Sequence, residues 1–149
     1  MSKSVLFRMA FAAGLASAGM MPAAAAGADL SVTVDGIQTA KGQIVLGLYD
    51  RPEKWPKGPA RLTVTVPAKE GRVVYVFKGL RPGRYAITGF DDENEDGKMD
   101  FSLIGLPEKG FFFSNNMSPG FSPPSFDACA LTIGQDPVVI TVHIQHWPG

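Results

Sequence analysis

Cysteine and histidine are scarce in this chain, and each shortage closes off a class of chemistry. A single cysteine, Cys129, in 149 residues excludes an internal disulfide. The fold must then rest on its apolar core, with or without help from a metal. The two histidines, His143 and His146, stand three apart. On a continued strand they point to opposite sides, which makes a poor paired zinc site. A Cys129–His143 nucleophile pair fails on parity: alternation groups Cys129 with the apolar Leu131 and Ile133, and His143 with the polar Thr141 and Gln145. No G-x-S-x-G elbow accompanies the serines. An excess of positive charge is lacking too. The 14 Lys and Arg balance 14 Asp and Glu, without a basic stripe, which argues against nucleic acid as a partner. No long apolar run follows residue 26, and no segment beyond it holds a helical period.

What is present begins with an export signal. Lys3 and Arg8 precede a mostly apolar stretch from Met9 to Met21, which is short for a spanning helix, and Ala24-Ala25-Ala26 offers a cleavage site. Residues 1–26 are therefore expected to be a secretory signal peptide; cleavage after Ala28 and an uncleaved anchor are the alternatives. The protein is expected in the periplasm or outside the cell, with no membrane span after cleavage. Losing Lys3 and Arg8 leaves 12 basic against 14 acidic residues, a net charge of −2.

Residues 27–149 have the length of one domain and read as β-structure. Seven segments show two-residue alternation or β-branched and aromatic runs: 30–34, 43–49, 61–66, 73–77, 84–90, 129–133 and 138–144. Turn signals such as Lys41-Gly42, Glu70-Gly71 and Arg81-Pro82-Gly83 separate them. This pattern predicts an all-β domain, a single antiparallel β-sandwich of about seven strands. Val73–Phe77 is expected to be covered on both faces. Residues 91–127 break the rhythm with a long segment, acidic at first and then rich in Gly, Pro, Phe, Ser and Asn. Its aromatic content predicts an ordered loop.

The acidic start of that loop carries the strongest chemical signal. In Asp92-Glu93-Asn94-Glu95-Asp96-Gly97-Lys98-Met99-Asp100, oxygen-bearing side chains recur at every second position and a glycine follows the third. This is the opening of a calcium loop. Calcium takes about six to eight hard oxygen ligands, and the glycine permits the sharp turn around it. Asp92, Asn94 and Asp96 fill the first three ligand places, Lys98 offers its carbonyl, and Asp100 follows. Leu103 stands where a bidentate Glu belongs, and a strand precedes the loop, so this is not a standard EF-hand. Glu108, after the turn Gly105-Leu106-Pro107, is the expected last ligand, with Asp91 and Glu93 in reserve. Magnesium suits so flexible a carboxylate cage less well than calcium. The plain alternative is a solvated acidic turn whose Asp and Asn side chains bond local backbone. The same loop could also supply paired carboxylates for hydrolysis of a glycan or ester.

Phe111-Phe112-Phe113 does not alternate with polar residues; its rings, with Phe121 and Phe126, are expected to plug the long loop onto the sandwich, and the alternative is that at least one ring is exposed. With Phe121, such a ring would form an apolar patch for an envelope protein or a sugar face. Asn115 and Asn116 are expected to bond loop backbone.

Several linked runs resemble one known family: Leu80-Arg81-Pro82-Gly83-Arg84-Tyr85-Ala86, the loop from Asp91 to Asp100, Gly105-Leu106-Pro107-Glu108, Phe113-Ser114-Asn115-Asn116 and Pro124-Ser125-Phe126-Asp127-Ala128. In this order they are similar to the exported bacterial proteins grouped as domain of unknown function 2141. The resemblance implies an exported, β-rich single domain and no particular activity. Asp91 stands where the family pattern leads one to expect a histidine. The Leu80–Tyr85 run also resembles the strand entry of prealbumin-like sandwiches, in which Tyr85 would bury its ring and reach backbone with its hydroxyl. Together these readings predict an exported, non-enzymatic module with a calcium-binding loop and a binding or structural role in the envelope. A hydrolase using carboxylates of residues 91–108 is the rival.

Overall fold

A computed structural model describes residues 27–147; the export signal expected over residues 1–26 lies outside them. Among the described residues eight strands form two sheets: β1 (Ala28–Ile37), β2 (Gln43–Tyr49), β3 (Leu62–Pro67), β4 (Gly71–Leu80), β5 (Gly83–Asp92), β6 (Phe111–Phe113), β7 (Leu131–Ile133) and β8 (Val138–His143). The smaller sheet runs β4-β1-β8. The larger runs β3-β2-β5-β6, with β7 also paired to β5. Their inward faces share one apolar core. Leu30, Val32, Val34 and Val142 come from one side, and Ile44, Leu46, Leu48, Ile87 and Phe112 from the other. The alternation read in the sequence is this burial pattern: in β1 every second residue from Ala28 to Val34 is buried.

The architecture departs from the sequence reading in four places. First, it is not wholly antiparallel. β8 lies parallel to β1, pairing Leu30 with Val138 and Asp35 with His143. Parallel neighbours need a long connection, and nearly the whole domain supplies it. Second, the outer face of β4 is open, with Val74 53% exposed; β-branched residues suit a strand whether or not that face is covered. Third, residues 126–129 form one helical turn, α1 (Phe126–Cys129), capped by the Ser125 side chain, which accepts from the Ala128 N–H. Cys129 is buried as expected, but it packs with Phe111, Phe113 and Phe126 rather than with Leu131 and Ile133.

The fourth departure is β6, a strand inside the segment read as loop, although its rings do plug the loop onto the sheet. All three of its phenylalanines are buried, because both faces of the larger sheet are covered. Phe112 enters the inter-sheet core over Gly89, where a Cβ would collide with its ring and with the Val45 carbonyl. Phe111 and Phe113 turn outward into a second apolar cluster with Tyr49, Phe126 and Trp55. Trp55 is the hub. Its ring meets Tyr49, Phe113 and Phe126 edge-on at 5.2, 5.9 and 6.1 Å, and its indole N–H donates to the Pro124 carbonyl at 2.8 Å. The segment from Arg51 to Ala60 thus folds over the sheet together with the long loop.

That loop leaves β5 and returns to the same edge. β6 pairs with Thr88–Phe90 and β7 with Gly83–Tyr85. Between them the Ile87 N–H has no ladder partner and donates instead to the buried Ser114 hydroxyl at 3.0 Å, which itself donates to the Cys129 carbonyl. Asn115 and Asn116, both at left-handed φ, bond backbone as expected. Asn115 donates to the Ala128 and Ala130 carbonyls, and Asn116 joins the Thr141 carbonyl and the His143 N–H of β8. The tyrosine corner is present: Tyr85 is buried and its hydroxyl donates to the Arg81 carbonyl at 2.7 Å.

Candidate functional site

The acidic loop begins where β5 ends. Asp92 is fully buried. Its Oδ2 accepts from the Gln43 side-chain amide at 2.9 Å and from the Gly97 N–H at 2.8 Å. The Gly97 bond closes the turn, and Gly97 takes the left-handed φ of +74° that favours glycine. Asp96 Oδ1 accepts from the Lys98 N–H at 2.9 Å. These local bonds aim the five expected oxygens, from Asp92, Asn94, Asp96, the Lys98 carbonyl and Asp100, at one centre.

Lys109 holds that centre. Its ammonium lies 2.7 Å from Asp92 Oδ1, 3.1 Å from Asn94 Oδ1, 2.7 Å from Asp96 Oδ1 and 3.4 Å from Asp100 Oδ2, and it donates to the Lys98 carbonyl. Its side chain is 11% exposed. Lys109 comes from the return of the loop, where the Asp91 N–H donates to the Gly110 carbonyl at 2.9 Å and the ammonium also sits 5.5 Å from the Phe90 ring centre. Glu108, the residue chosen from sequence, is exposed; its backbone N–H bonds the Asp100 carbonyl, and its carboxylate has no partner among the described residues. Five of the six expected residues thus meet at one centre, Glu108 stays outside it, and Lys109, which the sequence reading did not name, enters. The available signal was parity, since neighbours on an extended segment face opposite ways.

Burial raises the Asp92 carboxyl, but the bonds from Lys109, Gln43 and Gly97 outweigh it, and the net shift is downward. The Lys109 ammonium and the Lys98 N–H bring Asp96 down to about 2. Burial works against the Lys109 ammonium, yet Asp92 and Asp96 push it well above the ordinary lysine value. Three carboxylates face one ammonium, so the cage retains a formal charge of −2. An ammonium has about three hydrogens to share among these oxygens. As chemistry the donor set fits calcium, which takes oxygen ligands of this kind, but here the oxygens converge on an ammonium nitrogen as hydrogen-bond acceptors. Among the described residues, no cluster of three or more His, Cys, Asp and Glu surrounds an open centre.

Asp91 behaves differently. Adjacent to Asp92, it faces the other side of β5. It is buried, its Oδ1 has no partner among the described residues, and burial followed by Glu93 raises its pKa against the opposing pull of His146.

Beside the cage a groove of about 520 Å³ lies on the outer face of the larger sheet. Tyr49, Phe90, Phe111 and Phe113 form its floor. Met99, Phe101, Ile104 and Leu106 belong to one wall, and the segment Pro119–Pro123 with Trp147 to the other. The first wall is a small hairpin: Phe101 pairs with Pro107, and the Ser102 N–H donates to the Leu106 carbonyl at 2.8 Å. Phe101, Ile104 and Phe121 are 58%, 79% and 105% exposed at the rim. The sequence marked Phe121 as a patch residue; the groove itself needs residues from both loops and the sheet.

A family described as an uncharacterized protein conserved in bacteria matches residues 32–141. No curated protein and no solved structure matches the chain.

Proposed function

Since the chain belongs to that family of uncharacterised bacterial proteins, DUF2141, which carries no assigned activity, we propose its role from geometry: an exported, non-enzymatic binding module whose groove takes a hydrophobic small molecule or acyl chain. The observation that carries this reading is the groove. Its volume of about 520 Å³ falls within the usual range for small-molecule sites, and such sites are lined mainly by apolar and aromatic side chains. Two sheets around one core, with the Tyr85 corner, support a prealbumin-like sandwich as the scaffold. The cation-held loop Asp92–Asp100 anchors the hairpin wall. Calcium is the divalent ion its oxygens would accept if the Lys109 ammonium left the centre, with Asp92, Asn94, Asp96, the Lys98 carbonyl and Asp100 as ligands. The lining offers too few polar groups to favour a glycan.

The rival, a hydrolase using carboxylates of residues 91–108, draws support from Asp91 alone, a carboxyl that burial keeps toward its protonated form. Acid–base work needs a second carboxyl opposite it, and Asp92, Asp96 and Asp100 face Lys109 instead.

The test is titration with a fluorescent fatty-acid probe. Saturable binding is expected. Replacing Phe101 and Ile104 together by serine should weaken it about tenfold, as loss of one to two kcal/mol of apolar contact would. Val74→Ser on the other sheet should leave it unchanged. Non-saturable uptake, or equal binding by the Phe101/Ile104 variant, would overturn the reading.

A further inference from the structure

We infer that Lys109 is the resident cation of the acidic loop: its ammonium takes the place of a calcium ion, so the loop is ordered without metal, and a divalent ion enters only when that ammonium is removed. The position of the ammonium carries this. Four side-chain oxygens and one backbone carbonyl surround a single nitrogen, and four of the five contacts are hydrogen bonds. A surface lysine meeting one acid would leave the remaining oxygens pointing elsewhere.

The backbone holds Lys109 in place independently of the ion pairs. The bond from the Asp91 N–H to the Gly110 carbonyl fixes the next residue against β5. Gly110 is itself confined, since a Cβ there would meet Ile144 and His146. The lysine stem passes near the Phe90 ring, with the charge at 5.5 Å, so its path to the cage is lined. A metal and this ammonium cannot share the centre. Each repels the other, and both need the same oxygens of Asp92 and Asp96.

Four consequences separate this from a conventional calcium loop. The wild-type protein should melt at the same temperature in chelator and in millimolar calcium. Lys109→Met leaves three carboxylates without their cation and should lower the melting temperature by roughly 10 °C in chelator, the scale of a broken buried ion pair. The same variant should regain most of that loss on adding calcium. Lys109→Glu puts a fourth carboxylate where the side chain already reaches, and should bind calcium more tightly than Lys109→Met.

The experiment is a thermal melt of the three proteins, followed by circular dichroism, with and without calcium, together with calorimetric titration of calcium. If Lys109→Met does not fold in chelator, refolding on addition of calcium is the reading and supports the inference; failure to refold would count against it. Calcium stabilisation of the wild type by more than a few degrees would overturn it, as would calcium binding that Lys109→Met leaves unchanged. The inference does not depend on what fills the groove: probe binding can fail while the melts succeed, and the reverse.

Discussion

The three acids around Lys109 make the same kind of contact, yet they should differ widely in importance. Asp92 is fully buried and holds three partners: the ammonium at 2.7 Å, the Gln43 amide at 2.9 Å and the Gly97 N–H at 2.8 Å. Asp92→Ala removes the carboxylate and strands two donors. A stranded buried donor costs about 1–3 kcal/mol, and a bond to a charged group contributes about 1.5–3 kcal/mol. Part of this is returned, because Lys109 keeps Asp96 and the Lys98 carbonyl and because water can reach a partly exposed Gln43. A net loss of about 3–4 kcal/mol follows, or roughly 10–15 °C in melting temperature for a domain of this size. Asp96 makes an equally short contact, but its side chain is 35% exposed, and Asp100 lies at 3.4 Å with 44% exposed. Solvent screens both, and each alanine variant should shift the melting temperature by no more than about 3 °C. Thermal melts of the three variants in chelator measure the order. Were Asp96→Ala or Asp100→Ala to cost as much as Asp92→Ala, burial would not be what grades these acids. A centre in which every carboxylate ligates equally would then explain the loop better than one held by an ammonium.

Phe112→Ala should cost about 3–5 kcal/mol by urea denaturation, because the ring is fully buried and fills the space over Gly89; a loss under about 1 kcal/mol would show that β6 does not depend on it. Stability should also fall at both ends of the pH range. Asp96 is held at about 2 against an ordinary 3.8. A depressed carboxyl contributes fully above its ordinary value, and that contribution disappears as pH drops from about 4 to about 2. Cys129 is pushed by burial to about 11 against an ordinary 9.0. A raised thiol costs nothing below about pH 9, and the folded state weakens as pH climbs from 9 toward 11. Urea midpoints measured from pH 2 to 11 check both arms, and a flat acid arm in the wild type would argue against the Asp96–Lys109 pair.

Much of the fold was legible in the sequence because it is local. Strands β1 and β8 alternate along stretches that need no distant information, and the strand limits read for 43–49 match β2 at both ends. The turn around Gly97 and the aim of Asp92, Asn94 and Asp96 follow from side-chain bonds spanning five residues or fewer. Tyr85 reaches Arg81 within one turn of chain. Three consecutive phenylalanines gave no alternation to read, since burial on both faces of a strand removes the contrast that marks one.

Residues brought together from far apart were decided only by the tertiary structure. Lys109 stands 17 positions from Asp92, and nothing in the acidic motif encodes which side chain of the returning segment will enter. One residue of register separates a carboxylate, Glu108, from an ammonium, Lys109, and that step changes the loop from a cage awaiting a metal to one holding its own cation. The parallel meeting of β1 and β8, the double cover on β5 and the groove against Tyr49 and Phe113 arise in the same way. A short segment's hydrogen bonds and alternation are set by its own residues, whereas the identity of a neighbour across space is set by how all the segments pack at once.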